Sequence, residues 1–76
     1  MRTIKRPPTI SLAQTAAVIG MSVSTARQLA DTGALPCIQI SRIRTFLVAD
    51  VERFLQSRYK GGTVTIDPVT LEVAYH

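Results

Sequence analysis

Ile19-Gly20-Met21-Ser22-Val23-Ser24-Thr25-Ala26-Arg27-Gln28-Leu29 is the stretch that decides how this 76-residue chain folds. Gly20 can adopt the left-handed conformation that ends a helix, and Ser22 is a preferred cap for the start of another. Two helices joined by the short turn Gly20-Met21-Ser22 make a helix-turn-helix unit. The second helix opens on small hydroxyl residues and carries Arg27 and Gln28 on its next turn. Those residue types place donors against phosphates and base edges, so the unit points towards DNA.

Upstream, Ser11 is followed three residues later by Gln14, a capping box, with Ile10 before the cap as a staple residue. Leu12, Ala16 and Ile19 form one apolar stripe of a two-turn helix that ends at Gly20. On the second helix Ala26, Leu29 and Ala30 form the buried stripe, and Gly33 with Leu35-Pro36 ends it. Ala16 and Ala26 are small enough to let the two helices approach closely.

Downstream, Cys37–Ile40 and Ile43–Val48 read as a β-hairpin around Ser41-Arg42, with Arg42 and Arg44 near its tip. Its core contacts are expected from Ile38, Ile40, Phe46 and Val48. A third helix is predicted from Ala49 or Asp50 to Tyr59. Asp50 and Glu52 in its first turn and Arg58 and Lys60 at its end complement the helix dipole. Val51, Phe54 and Leu55 supply its apolar face, and Gly61-Gly62 closes it. Residues 63–76 alternate weakly and fit either a second hairpin around Asp67-Pro68 or an extended tail.

Composition bounds the function. The apolar fraction is 46%, enough for a modest core of Leu, Ile, Val and Ala with few aromatics. All nine Lys and Arg fall in residues 1–60 against three acids, a net +6; residues 61–76 carry two acids and no cation. A cationic helical part with a mildly acidic tail suits a polyanion-binding face. Cys37 and His76 are the only residues of their kinds, so neither a disulfide framework nor a metal cluster is expected. No apolar run reaches the ~18–20 residues that span a bilayer, and the basic, proline-containing start does not resemble a signal peptide. An intracellular, reducing location is expected. The five carboxylates are scattered and no nucleophile–base pair is apparent, so no enzyme is expected.

The division follows: residues 1–8 as a basic arm, 9–60 as the DNA-binding domain, and 61–76 as a C-terminal tail. The fold class is mainly α with a small β-hairpin.

The order of residues from Ile10 to Leu55 resembles the small excisionase-like DNA-binding domains, a winged-helix group related to the DNA-binding head of the MerR regulators. The resemblance rests on Ser11, Ala16, Ile19-Gly20-Met21-Ser22, Ser24-Thr25, Leu29, Gly33-Ala34-Leu35-Pro36, Ser41-Arg42 and Asp50-Val51-Glu52-Arg53-Phe54-Leu55. The chain departs from the family pattern at Ser41, where Gly is common, and in a wing less basic than usual. The resemblance implies a winged helix-turn-helix fold and a phage- or plasmid-type recombination directionality factor. Such a protein binds and bends an attachment site beside integrase and has no catalytic centre. A small phage or prophage transcriptional regulator with the same domain is the alternative. A bacterial cytoplasm, with the protein on the nucleoid, is the location implied.

On this reading Ser22, Ser24 and Thr25 donate to phosphates at the start of the second helix, where the dipole favours an anion. Arg27 and Gln28 read base edges. Arg42, Arg44 and Thr45 serve the wing, and Arg2, Lys5 and Arg6 add backbone affinity from the arm. The expected partners are double-stranded DNA, integrase and further copies of the chain on DNA, with no small-molecule ligand, cofactor or metal. Each assignment has a plainer counterpart. Ser22 would cap a helix in any protein, and Arg42 and Arg44 could be ordinary solvated hairpin charges. A basic face meeting an acidic protein is the reading outside DNA binding, and a duplex mobility shift separates the two.

Overall fold

The computed structural model describes residues 8–76, so the basic arm, with Lys5 and Arg6, lies outside the described residues. The elements run β1 (Thr9–Ser11), α1 (Leu12–Ile19), α2 (Val23–Asp31), β2 (Ile38–Ile40), β3 (Ile43–Leu47), α3 (Val48–Arg58), β4 (Val64–Ile66) and β5 (Val73–Tyr75). The fold is mainly helical, with three helices and two small antiparallel sheets among the described residues.

Local chemistry accounts for the first two helices. Ser11 Oγ accepts from the Gln14 backbone N–H at 3.2 Å while Gln14 Oε1 accepts from the Ser11 N–H at 2.9 Å, the reciprocal capping box. Gly20, at φ 73°, turns the chain out of α1. Ser22 Oγ then accepts from the Thr25 N–H at 3.1 Å and starts α2. Thr15 is fully buried on α1 and donates its hydroxyl to the Ser11 carbonyl at 2.8 Å, so its burial leaves no polar atom unpaired. Ala16 and Ala26 are both buried, and their small side chains fit the close approach of α1 and α2.

The wing is larger than the expected hairpin. β1 pairs antiparallel with β3 (Thr9↔Leu47, Ile10↔Phe46, Ser11↔Thr45), giving the sheet order β1-β3-β2. Ser11 thus ends a strand and caps a helix at once, which hangs α1 directly on the wing. The hairpin turn is Ser41-Arg42, with Ser41 at φ 57°, the position where a glycine would be less strained.

The expected core role of Ile38 and Ile40 is corrected. Both are exposed, at 41% and 71%, whereas Phe46 and Val48 are buried. The register explains the difference. Ile38 pairs with Thr45 and Ile40 with Ile43, so these four share one sheet face, and Phe46 lies on the other with Ile10. The inner face packs onto the helices and the outer face has no layer over it. Val48 also opens α3 and does not extend the strand, and Tyr59, not the Gly61-Gly62 pair, closes it.

Residues 63–76 form the hairpin alternative. β4 and β5 pair antiparallel, and Val64 and Ile66 enter the core beside Val51, Phe54 and Leu55. The β4 amides that point away from β5 are taken up by α3. Val64 N–H donates to Gln56 Oε1 at 2.8 Å and Ile66 N–H to Glu52 Oε2 at 3.0 Å. Residues 52 and 56 are one helical turn apart, matching the two-residue step along the strand edge. Tyr59 and Tyr75 meet edge-on at a centroid distance of 5.1 Å.

Asp67 organises the hairpin's turn by accepting from the Val69 N–H at 2.8 Å and the Thr70 N–H at 3.1 Å. These bonds, Val69's first, hold its carboxyl below its ordinary pKa. A carboxylate favoured in the folded state contributes stability above its unfolded pKa and loses it as pH falls through the folded value. The Val69 and Thr70 amide resonances are therefore expected to shift together below about pH 4. Asp67→Ala is expected to abolish that titration while the rest of the spectrum is unchanged.

Candidate nucleic-acid interface

Ser24, Arg27, Gln28 and Asp31 stand at i, i+3, i+4 and i+7 on α2, so helical periodicity puts them on one side, away from buried Ala26. All four are exposed. Ser22 and Thr25 flank this stripe at the start of the helix. Their hydroxyls lie 2.9 Å apart, and Ser22 Oγ also holds the Thr25 N–H. Ser22 is thus already employed as a cap, and its proton is free to donate outward when Thr25 is the donor between the two hydroxyls.

The wing leans over the same stripe. Leu12, Arg27, Gln39, Ser41, Arg42 and Arg44 line one open groove between α2 and the β2–β3 hairpin. Arg27 and Arg42 are exposed at its two sides. Arg44 is different. Its side chain is 23% exposed, and its guanidinium pairs with the Asp31 carboxylate at 2.5 Å and lies 3.5 Å from the Arg27 carbonyl midway along α2. It fastens the wing to the helix and offsets the one acid on the polar stripe. Thr45 is half-buried on the outer sheet face, with its hydroxyl 3.5 Å from the Ile38 carbonyl across the strand pair.

The structure therefore brings Ser24, Arg27 and Gln28 together on α2, with Arg42 and Arg44 across the groove. It sets Thr45 on the opposite side of the wing sheet from Arg44. Lys5 and Arg6 lie outside the described residues. Gln39 escaped sequence reasoning: it faces the groove because it pairs directly with Arg44 in the register set by the Ser41-Arg42 turn. Asp31, four residues beyond Arg27 on the same helix face, pairs with Arg44, a contact between elements that the periodicity of α2 does not disclose.

Outside the groove, two arginines have local partners. Arg53 pairs with Asp50 at 3.1 Å, and the Arg58 guanidinium lies 4.6 Å from the Phe54 ring centroid. Among the described residues, no helix is long and apolar enough to cross a membrane.

No curated protein and no solved structure matches the chain. A family of helix-turn-helix domains does, over residues 9–59, from the first residue of β1 to the residue that closes α3. Such domains are typically non-catalytic DNA-binding modules of regulatory proteins. With the capped α1-turn-α2 unit and the wing both inside the matched span, the chain belongs to the helix-turn-helix domain family.

Proposed function

We propose that this protein is a sequence-specific, architectural DNA-binding protein of the excisionase type, which binds and bends an attachment site and directs integrase towards excision. The observation that carries the reading is the groove in which Arg27 of α2 faces Arg42 and Arg44 of the wing, beside an exposed Ser24-Arg27-Gln28 stripe. α2 lies in the major groove with Arg27 towards guanine and Gln28 towards adenine. Ser22, Ser24 and Thr25 meet phosphates at the helix start, and the wing reaches the neighbouring minor groove. Lys5 and Arg6 add salt-sensitive contacts.

A single module of this size buries roughly 600–1,000 Å² on DNA, modest for a unique site. Several copies side by side, or integrase, would supply the remaining specificity. The excisionase assignment is supported by the order of residues from Ile10 to Leu55; the membership in a broad helix-turn-helix family equally accommodates a small transcriptional regulator.

Excision by the cognate integrase in vitro, with and without the protein, tests the assignment. Stimulation is expected; promoter-specific binding without stimulation would favour the regulator. Within the site, Arg27→Ala is expected to cost ~1–3 kcal/mol on a specific duplex and to relax sequence preference. Arg42→Ala is expected to weaken binding to specific and random duplexes alike. Equal losses on both duplexes for Arg27→Ala would remove its base-reading role.

A further inference from the structure

Ile40 and Ile43 stand directly opposite each other at the end of the wing, 71% and 68% exposed, with Ser41-Arg42 as the only residues beyond them. They share the outer sheet face with Ile38, Thr45, Ser11, Thr9 and Leu47, a face without a charged side chain. Large apolar residues at a solvent-exposed hairpin tip are costly to keep in water unless they meet a partner. Two observations indicate which partner. Arg42, exposed at the turn, is the one charged side chain at the tip, because Arg44 lies on the other sheet face and pairs with Asp31. The turn residues Ser41 and Arg42 also line the groove that holds Arg27, Gln39 and Arg44, so the tip meets that groove at its turn while Ile40 and Ile43 face the other way. A second copy of the chain is the weaker fit, because three partly exposed isoleucines fall well short of the ~800 Å² per partner of a standard interface.

We infer that Ile40 and Ile43 form an apolar wedge that enters the minor groove beside Arg42 and partly unstacks one base step. This inference rests on the DNA-binding reading and supplies the physical origin of the bend. Minor-groove proteins that insert apolar side chains kink the duplex by roughly 20–90°, most easily at flexible pyrimidine–purine steps. Arg42, next to the pair at the tip, is placed to favour the negative potential of a narrow groove while the isoleucines open the step.

The test uses the full chain and a 30-base-pair A·T-rich duplex with 2-aminopurine at a central TpA step and a donor–acceptor dye pair at its ends, at low salt. The protein is expected to raise 2-aminopurine fluorescence and shorten the end-to-end distance. The double variant Ile40→Thr/Ile43→Thr keeps β-branched side chains on an exposed surface and so retains the fold. At protein concentrations that saturate the duplex in an anisotropy titration, it is expected to lose both signals. Ile43→Leu, which keeps an apolar prong, is expected to retain them. Persistence of fluorescence and bending in the double variant would overturn the wedge. Loss of only cooperative loading on a multi-site duplex would overturn it as well and assign the face to a second copy. If the unaltered protein binds no duplex at low salt, the DNA-binding reading itself falls, a result distinguishable from binding without unstacking.

Discussion

Phe46→Ala is expected to lower the protein's melting temperature by roughly 12–40 °C. Phe46 is fully buried as the penultimate residue of β3, paired with Ile10 and surrounded by a core to which α1, α2, α3 and β4 contribute. Truncating a buried Phe to Ala typically costs ~3–5 kcal/mol, from lost transfer energy and the cavity left behind. A chain of this length has about 4–11 kcal/mol of total stability at ~0.05–0.15 kcal/mol per residue. The substitution therefore removes between about a quarter and all of that stability. At ~4–8 °C per kcal/mol for a small domain, the melting temperature should fall by roughly 12–40 °C in a circular dichroism scan. Phe46→Leu, which keeps most of the volume, should cost much less, and Val69→Ala, at an 87% exposed position, should change little. A shift below ~5 °C for Phe46→Ala would mean that the wing and the helices do not share one core.

That dependence on one strand residue shows where sequence reading succeeds and where it stops. The ends of α1 and the start of α2 were legible because caps are local. Ser11 finds Gln14 and Ser22 finds Thr25 within one turn, whatever the rest of the chain does. β1 was not legible, because nothing in Thr9-Ile10-Ser11 makes it a strand except pairing with Thr45–Leu47 far along the chain. The misplaced Ile38 and Ile40 illustrate a different limit. Alternation tells which residues share a face, not which face is covered. With the turn at Ser41-Arg42, Ile40 pairs with Ile43 and Ile38 with Thr45, so Phe46 necessarily faces the other way. Either the two isoleucines or Phe46 could be buried, and the helices select Phe46.

The same parity governs the candidate interface. Arg44 shares its face with Phe46, so it points towards the helices, where Asp31 meets it. Reading Arg44 as a free wing charge missed this because the partner is on another element. Arg27, Gln28 and Arg42 carry no such tertiary tie among the described residues beyond the Arg27 carbonyl, and their exposure follows from helix and turn periodicity alone.

The Asp31–Arg44 pair makes the salt dependence of DNA binding a quantitative expectation. With Arg27 given to a base edge, five cations are assigned to the DNA backbone and wing contacts on sequence grounds: Arg2, Lys5, Arg6, Arg42 and Arg44. With Arg44 neutralised by Asp31, four effective charges remain. Each phosphate neutralised contributes about −0.9 to the slope of log K against log salt, which gives a slope near −3.6 and a loss of about 150-fold between 50 and 200 mM. Asp31→Asn frees Arg44 and removes an acid from the recognition stripe. The slope is then expected to steepen to about −4.5, with a loss of about 500-fold over the same range and tighter binding at low salt. Arg44→Ala acts in the opposite direction, because it leaves Asp31 unpaired on the DNA-facing side of α2, where the carboxylate repels phosphate. Arg42→Ala removes one effective charge and should flatten the slope by about 0.9. Fluorescence anisotropy titrations of the four proteins against one duplex, across five salt concentrations, check all of these slopes. Identical slopes for Asp31→Asn and the unaltered protein would mean that Arg44 stays at the helix when DNA arrives, or that α2 is not the element facing the phosphates.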